Sequence, residues 1–272
     1  MATNELEEQE RLASMLGSDT VEDDDDDEEE DLTTSTLEEH LEDLRRRIFI
    51  SLIAVAVGSI IAFVFRIQIL YVLELPLPKI AADSLTHGKL VVSGITEGFT
   101  VYLLVSVAAG FILALPVVLY QIWAFIRPAM FAKEKKYAKP FVFAGVILFT
   151  GGVTVGYFVL QYPVQWLITF ASDSFAALIT AGSYFTFVAF FLLAFGIVFE
   201  IPLVLTFLAL VDLITVQTLV KKRTVAHISM WIAATFLTPG ADLYSPIFLG
   251  ISMSFLYELS IVFIKFTMRQ RQ

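Results

Sequence analysis

The chain has 272 residues, 57% of them hydrophobic and 17% charged, and a mean hydropathy of +0.76. This composition excludes a water-soluble globular domain and points to a polytopic membrane protein. The formal charge of -10 is unevenly spread: residues 1–43 hold 19 acidic residues and one basic residue, a charge of -18, and residues 44–272 carry +8. The absence of cysteine excludes disulfides, thiolate metal sites and a cysteine nucleophile. Three scattered histidines (His40, His87, His227) argue against a metal centre.

In chain order, EDDDDDEEED at 22–31 repels itself and offers no apolar side chain, so residues 1–35 are expected to be a disordered acidic tail. It adjoins no apolar core, so no cleavable signal peptide is expected there. Thr36 and Glu39 have capping-box spacing, and Leu37, Leu41, Leu44 and Ile48 follow at helical intervals. An amphipathic interfacial helix is therefore expected over 36–47, running straight into the first apolar span.

Apolar runs at 48–65, 99–122, 141–160, 184–210, 225–237 and 247–264 predict an all-α integral membrane protein. Six transmembrane helices are expected within 48–265, followed by a short basic tail at 266–272. Basic residues alternate along the connections: Arg45 to Arg47 come before the first span, Arg127, Lys133, Lys135, Lys136 and Lys139 between the second and third, Lys221 to Arg223 between the fourth and fifth, and Lys265, Arg269 and Arg271 at the end. The third-to-fourth connection has none. By the positive-inside rule both termini are cytoplasmic, although the first outer loop, 66–98, carries Arg66, Lys79 and Lys89 beside Glu74, Asp83 and Glu97.

The fifth span is too short, since about 14 residues at 1.5 Å each give about 21 Å against a hydrocarbon core of about 30 Å. Glu258 interrupts the sixth, so both of the last helices are read as short. Such a hairpin thins the bilayer locally or recruits partner helices. In the fourth span, Glu200 stands at bilayer depth, with Gly196 four residues before it and Pro202 two after. A carboxylate there costs about 2.5 to 3.5 kcal/mol even on lenient scales and must face protein or water. A bent helix with a polar, concave side is expected. Two readings stay open: a functional carboxylate, or a protonated one that hydrogen-bonds a neighbouring helix.

In AFIRPAMFAKEKK at 124–136, Glu134 is the only carboxylate among the basic residues, either paired with them or reserved for an incoming cation. Glu42 and Asp43, on the surface helix, add acids that could share one basic ligand. Adjacent guanidinium groups, which bind carboxylates bidentately, would be the natural guest.

The stretches HLEDLRRRI (40–48), ITEGF (95–99), LPVVLYQIWAFIRPAMFAKEKK (115–136), LFTGGVTVGYFV (148–159), AFGIVFEIPLV (194–204) and LTPGADLYSPIFLGISMSFLYEL (237–259) resemble, in order, the signatures of the TatC family, the six-helix component of the twin-arginine protein translocase. The resemblance runs from about residue 36 to residue 265. It implies a receptor in the bacterial inner membrane or the thylakoid membrane that binds paired-arginine signal peptides of folded proteins. It also implies assembly with single-span partners of the TatA and TatB types, and with further copies of itself, into a passage driven by the proton motive force. Carried over by position, Glu134 matches the loop glutamate that contacts the signal arginines, and Phe125 and Pro128 the residues that shape that site. The second acidic contact falls on Asp43, a methylene shorter than the usual glutamate, so neighbouring Glu42 is included. Arg45 matches the helix-end arginine, Glu200 the intramembrane position facing the single-span partners, and Asp242 an aspartate in the outer turn, where Pro239-Gly240-Ala241 replaces the usual pair of prolines. Glu258 is grouped with Glu200 as an intramembrane polar residue. Pro76 and Pro78 lie where the family has a functional proline.

The rival reading is an ion-coupled secondary transporter with Glu200 as proton carrier, but no internal repeat is visible. An intramembrane hydrolase would have to rest on His227 and Ser229, a weak basis. No GxxxxGK[ST] loop is present. The chain is therefore read as no enzyme, with no cofactor, no metal and no nucleic-acid partner, its other contacts being with membrane lipid.

Overall fold

The structure, a computed structural model, describes residues 24–78, 90–126, 138–170, 179–239 and 242–269, without the side chains of 24–38, 138–139 and 267–269. Every regular element among these residues is helical, and the one strand-like feature is an isolated parallel bridge between Val91 and Thr180. In chain order the helices are α1 (Asp24–Val64), α2 (Arg66–Glu74), α3 (Glu97–Ile126), α4 (Ala138–Val159), α5 (Gln161–Phe170), α6 (Ala181–Val198), α7 (Ile201–Leu210), α8 (Val216–Lys221), α9 (Arg223–Leu237) and α10 (Tyr244–Arg269). The chain falls into two units, Met1–Arg46 and Arg47–Gln272, and the second holds the core.

Helix α1 starts at Asp24, inside the acidic stretch expected to be disordered. The long first connection also contains α2, a short helix that was expected to be loop.

Among the described residues five segments are long and apolar enough to cross a membrane: Glu39–Val64, Glu97–Ile126, Pro140–Phe170, Ala181–Leu210 and Tyr244–Phe266. The chain is thus an integral membrane protein. Helix α9, with 15 residues, is shorter than these. The sixth predicted span is not short, and this corrects the reading of its sequence. Helix α10 runs for 26 residues without a break at Glu258, since glutamate is a good helix former, and Arg223 and His227 engage its carboxylate.

Helix α6 lies at the centre of the core, with Phe191, Phe195 and Val188 fully buried among residues of α3, α4 and α10. Thr180 starts it as an N-cap, accepting the Ser183 N–H. Small residues let the helices close: a Cβ on Gly152 of α4 would lie 2.6 Å from the Phe195 carbonyl oxygen. The same holds between α1 and α3, where a Cβ on Gly58 would lie 2.6 Å from the Gly110 carbonyl. Where apolar burial drives little association, as between helices in lipid, such backbone approach supplies the contact. Outward-facing apolar residues such as Ile60 and Phe158 stay exposed, as a hydrocarbon environment permits.

Candidate functional site

Glu200 occupies the turn between α6 and α7. Its N–H bonds the Ile197 carbonyl at 3.0 Å, a tightened last turn, and its carbonyl accepts the Val204 N–H at 3.0 Å. Pro202 has no N–H to return to the preceding turn, so one apolar run becomes two helices. A Cβ on Gly145 of α4 would meet Leu119 Cδ1 of α3 at 2.8 Å, Leu203 Cδ2 of α7 at 3.1 Å and Glu200 Oε2 at 3.2 Å. The carboxylate therefore stands where three helices converge, against a glycine that leaves it room. Its Oε1 is buried and has no hydrogen-bond partner among the described residues. A group left so costs about 1 to 3 kcal/mol, an expense that calls for an explanation beyond packing.

At the end of α3, Trp123 packs on Phe141 of α4 and Phe207 of α7, at 4.9 Å between ring centroids in each case. This aromatic group fixes the last turn of α3, which carries half-buried Phe125. One turn earlier, Arg47 donates to the Gln121 side chain at 3.4 Å, joining α1 to α3. Glu134 and Pro128 lie outside the described residues. In the first unit, Glu42 and Arg45 are exposed and Asp43 is half-buried, and Asp43 and Arg45 each engage a partner.

Asp242 has a local structural task. Its Oδ1 accepts the Ser245 N–H at 2.6 Å, which caps the first turn of α10. Asp242→Ala is expected to destabilise that turn by about 1 kcal/mol. Hydrogen exchange at the Ser245 amide measures it, and unchanged exchange would remove the cap from the account.

Glu258, grouped above with Glu200, has different surroundings: its Oε1 takes Arg223 at 2.8 Å and His227 at 3.1 Å. The sequence reading missed this cluster, although Arg223 and His227 at i and i+4 on a short helix are its local sign. It also missed Glu97, whose Oε2 accepts from the Ser93 and Gly94 N–H groups and the Ser93 hydroxyl while its Oε1 accepts the Gly182 N–H at 2.7 Å. Together with the Val91 to Thr180 bridge, this ties the connection before α3 to the start of α6. An acid opening a helix just after a Ser-Gly pair is the signal that would have found it.

The family model for the Sec-independent protein translocase protein (TatC) matches residues 39–251. The chain belongs to the TatC family. It is 38% identical over 229 residues to the Sec-independent protein translocase protein TatC of Desulforapulum autotrophicum, covering 84% of this chain and 83% of that relative. It is also 38% identical over 232 residues to that of Carboxydothermus hydrogenoformans, covering 85% and 93%. A crystal structure of the twin-arginine translocase receptor TatC shares the fold, with a TM-score of 0.71 and 33% identity over 84% of this chain and 98% of that one. Members of this family are components of a protein translocase, not enzymes, and this chain is one of them.

Proposed function

We propose that the chain is the receptor and core component of a twin-arginine protein translocase. It spans a bacterial inner membrane or thylakoid membrane six times, with α9 as the short fifth span and both termini on the cytoplasmic or stromal side. There it binds the paired arginines of signal peptides on folded substrates through Glu134, with Asp43 and Glu42 as further acids and Phe125 and Pro128 shaping the loop. Within the bilayer it gathers single-span subunits of the TatA and TatB types, and further copies of itself, for export driven by the proton motive force.

The observation that carries this reading is the likeness to the crystal structure of the twin-arginine translocase receptor, which covers 98% of that chain. Charge supports the orientation: the connections 127–139 and 221–223 are basic, whereas 161–183 holds no Lys or Arg. The buried Oε1 of Glu200, without a hydrogen-bond partner among the described residues, supports a donor supplied from outside the chain. The short α9 exposes Val225, Ile228, Ile232 and Phe236, an apolar stripe suited to a single-span helix.

Binding of a paired-arginine peptide to the purified chain, set against its paired-lysine counterpart, tests the reading. Guanidinium forks engage carboxylates bidentately and ammonium groups do not, so the arginine peptide is expected to bind roughly tenfold more tightly or better. Equal binding of the two would refute the receptor role.

A further inference from the structure

Arg223 and His227 stand one turn apart on α9 and reach the same oxygen of Glu258 on α10. Next to it, Tyr257 donates its hydroxyl to the Leu219 carbonyl of α8 at 2.9 Å, and its ring meets that of His227 edge-on at 5.6 Å between centroids. The end of α8, the start of α9 and the body of α10 are thereby joined at one place. Further along the hairpin the contact is apolar: a Cβ on Gly250 would lie 3.0 Å from the Trp231 ring.

Helix α9 has two features that make such a device useful. Only Met230 and Ala234 of its 15 residues are buried, and it packs chiefly against α10, the helix that carries Glu258. It is also too short to take its position from the bilayer, at about 22 Å against about 30 Å of hydrocarbon. Single exposed ion pairs contribute little, because two long side chains must be immobilised to form them. Here two donors converge on one oxygen, and the Tyr257 ring walls the imidazole in, so the geometry is constrained from both sides. Glu258 also differs from Glu200 in the respect that matters: its acceptor is engaged within the chain.

We propose that Glu258 is a positioning residue, which by holding Arg223 and His227 on one carboxylate oxygen fixes the short helix α9 against α10 and sets how its exposed apolar stripe is presented. The final clause, presentation to a single-span partner, rests on the proposed function. The clamp itself does not.

The experiment uses the full purified chain and reads hydrogen exchange of the α9 amides, alongside capture of a TatA-type or TatB-type single-span subunit. Glu258→Ala and Arg223→Ala are each expected to speed α9 exchange roughly tenfold while α4 and α6 stay protected. Glu258→Gln, which keeps an acceptor oxygen in place, is expected to fall between them and the unaltered chain. The reciprocal exchange, Arg223→Glu with Glu258→Arg, restores the 223–258 pair with its polarity reversed but not the His227 contact, and is expected to recover most of the protection that either single substitution loses. It is also expected to recover partner capture. If the reciprocal variant exchanges as fast as the single ones with α4 and α6 intact, a carboxylate is required at 258 for some other purpose and the clamp is overturned. Unchanged exchange in Glu258→Ala overturns it equally. Should the unaltered chain capture no single-span subunit, the proposed function fails, and the exchange measurement still decides the clamp.

Discussion

Replacing Glu134 by alanine is expected to cost on the order of a hundredfold in affinity for a paired-arginine signal peptide and to leave a paired-lysine peptide nearly unaffected. Glu134 is the only carboxylate in residues 127–139, among five basic residues, so without it that stretch offers an incoming guanidinium pair no carboxylate to bind. Truncating one member of a desolvated charge pair costs about 2 to 5 kcal/mol, because the other charge is left without its partner. Glu42→Ala and Asp43→Ala are expected to cost less, since each acid leaves the other in place. The four affinities, two peptides against two proteins, form a double-mutant cycle that isolates the contact. If the preference for arginine over lysine survives in Glu134→Ala, the carboxylate does not read the arginines.

The parts of this molecule that the sequence discloses are those fixed by local arithmetic. Apolar run length locates the long helices, because a span needs about 20 apolar residues whatever they pack against. The division of the fourth run at Glu200 follows from Pro202 alone, since a missing N–H acts on its own helix. What escapes is decided by residues far apart. Helix α2 ends with its Val72 and Leu73 carbonyls taken by the hydroxyls of Tyr157 and Tyr184, at 2.8 and 2.7 Å, contacts that no spacing within the first connection reveals. The sixth run looked interrupted at Glu258 because a scan along the chain counts a charge as a defect. Glutamate itself favours a helix, so α10 continues through it, and its partners Arg223 and His227 lie on another helix, where no reading of the sixth run finds them. For the site, the sequence picks out Glu200 by the cost of its charge in lipid. It does not disclose that Gly145, on a different helix, makes the space for it.

Glu200→Ala is expected to keep paired-arginine peptide binding and membrane level while lowering export tenfold or more, because the substitution removes only a group whose Oε1 has no partner within the chain among the described residues. Deleting an unsatisfied buried oxygen relieves a cost of about 1 to 3 kcal/mol, so the variant should be no less stable than the parent. Stability held or raised while function falls is the pattern of a residue kept for its activity against the interest of the fold. A packing residue would show the opposite. Gly145→Ala approaches the same point from the facing helix: its methyl group would lie 3.2 Å from Oε2 and 2.8 Å from Leu119 Cδ1, crowding the space around the carboxylate. It is expected to reduce export and partner capture with the glutamate still present. Full export by Glu200→Ala would return this carboxylate to a passive place in the bundle, and loss of peptide binding in the same variant would mean that it props up the fold and not the docking of other helices.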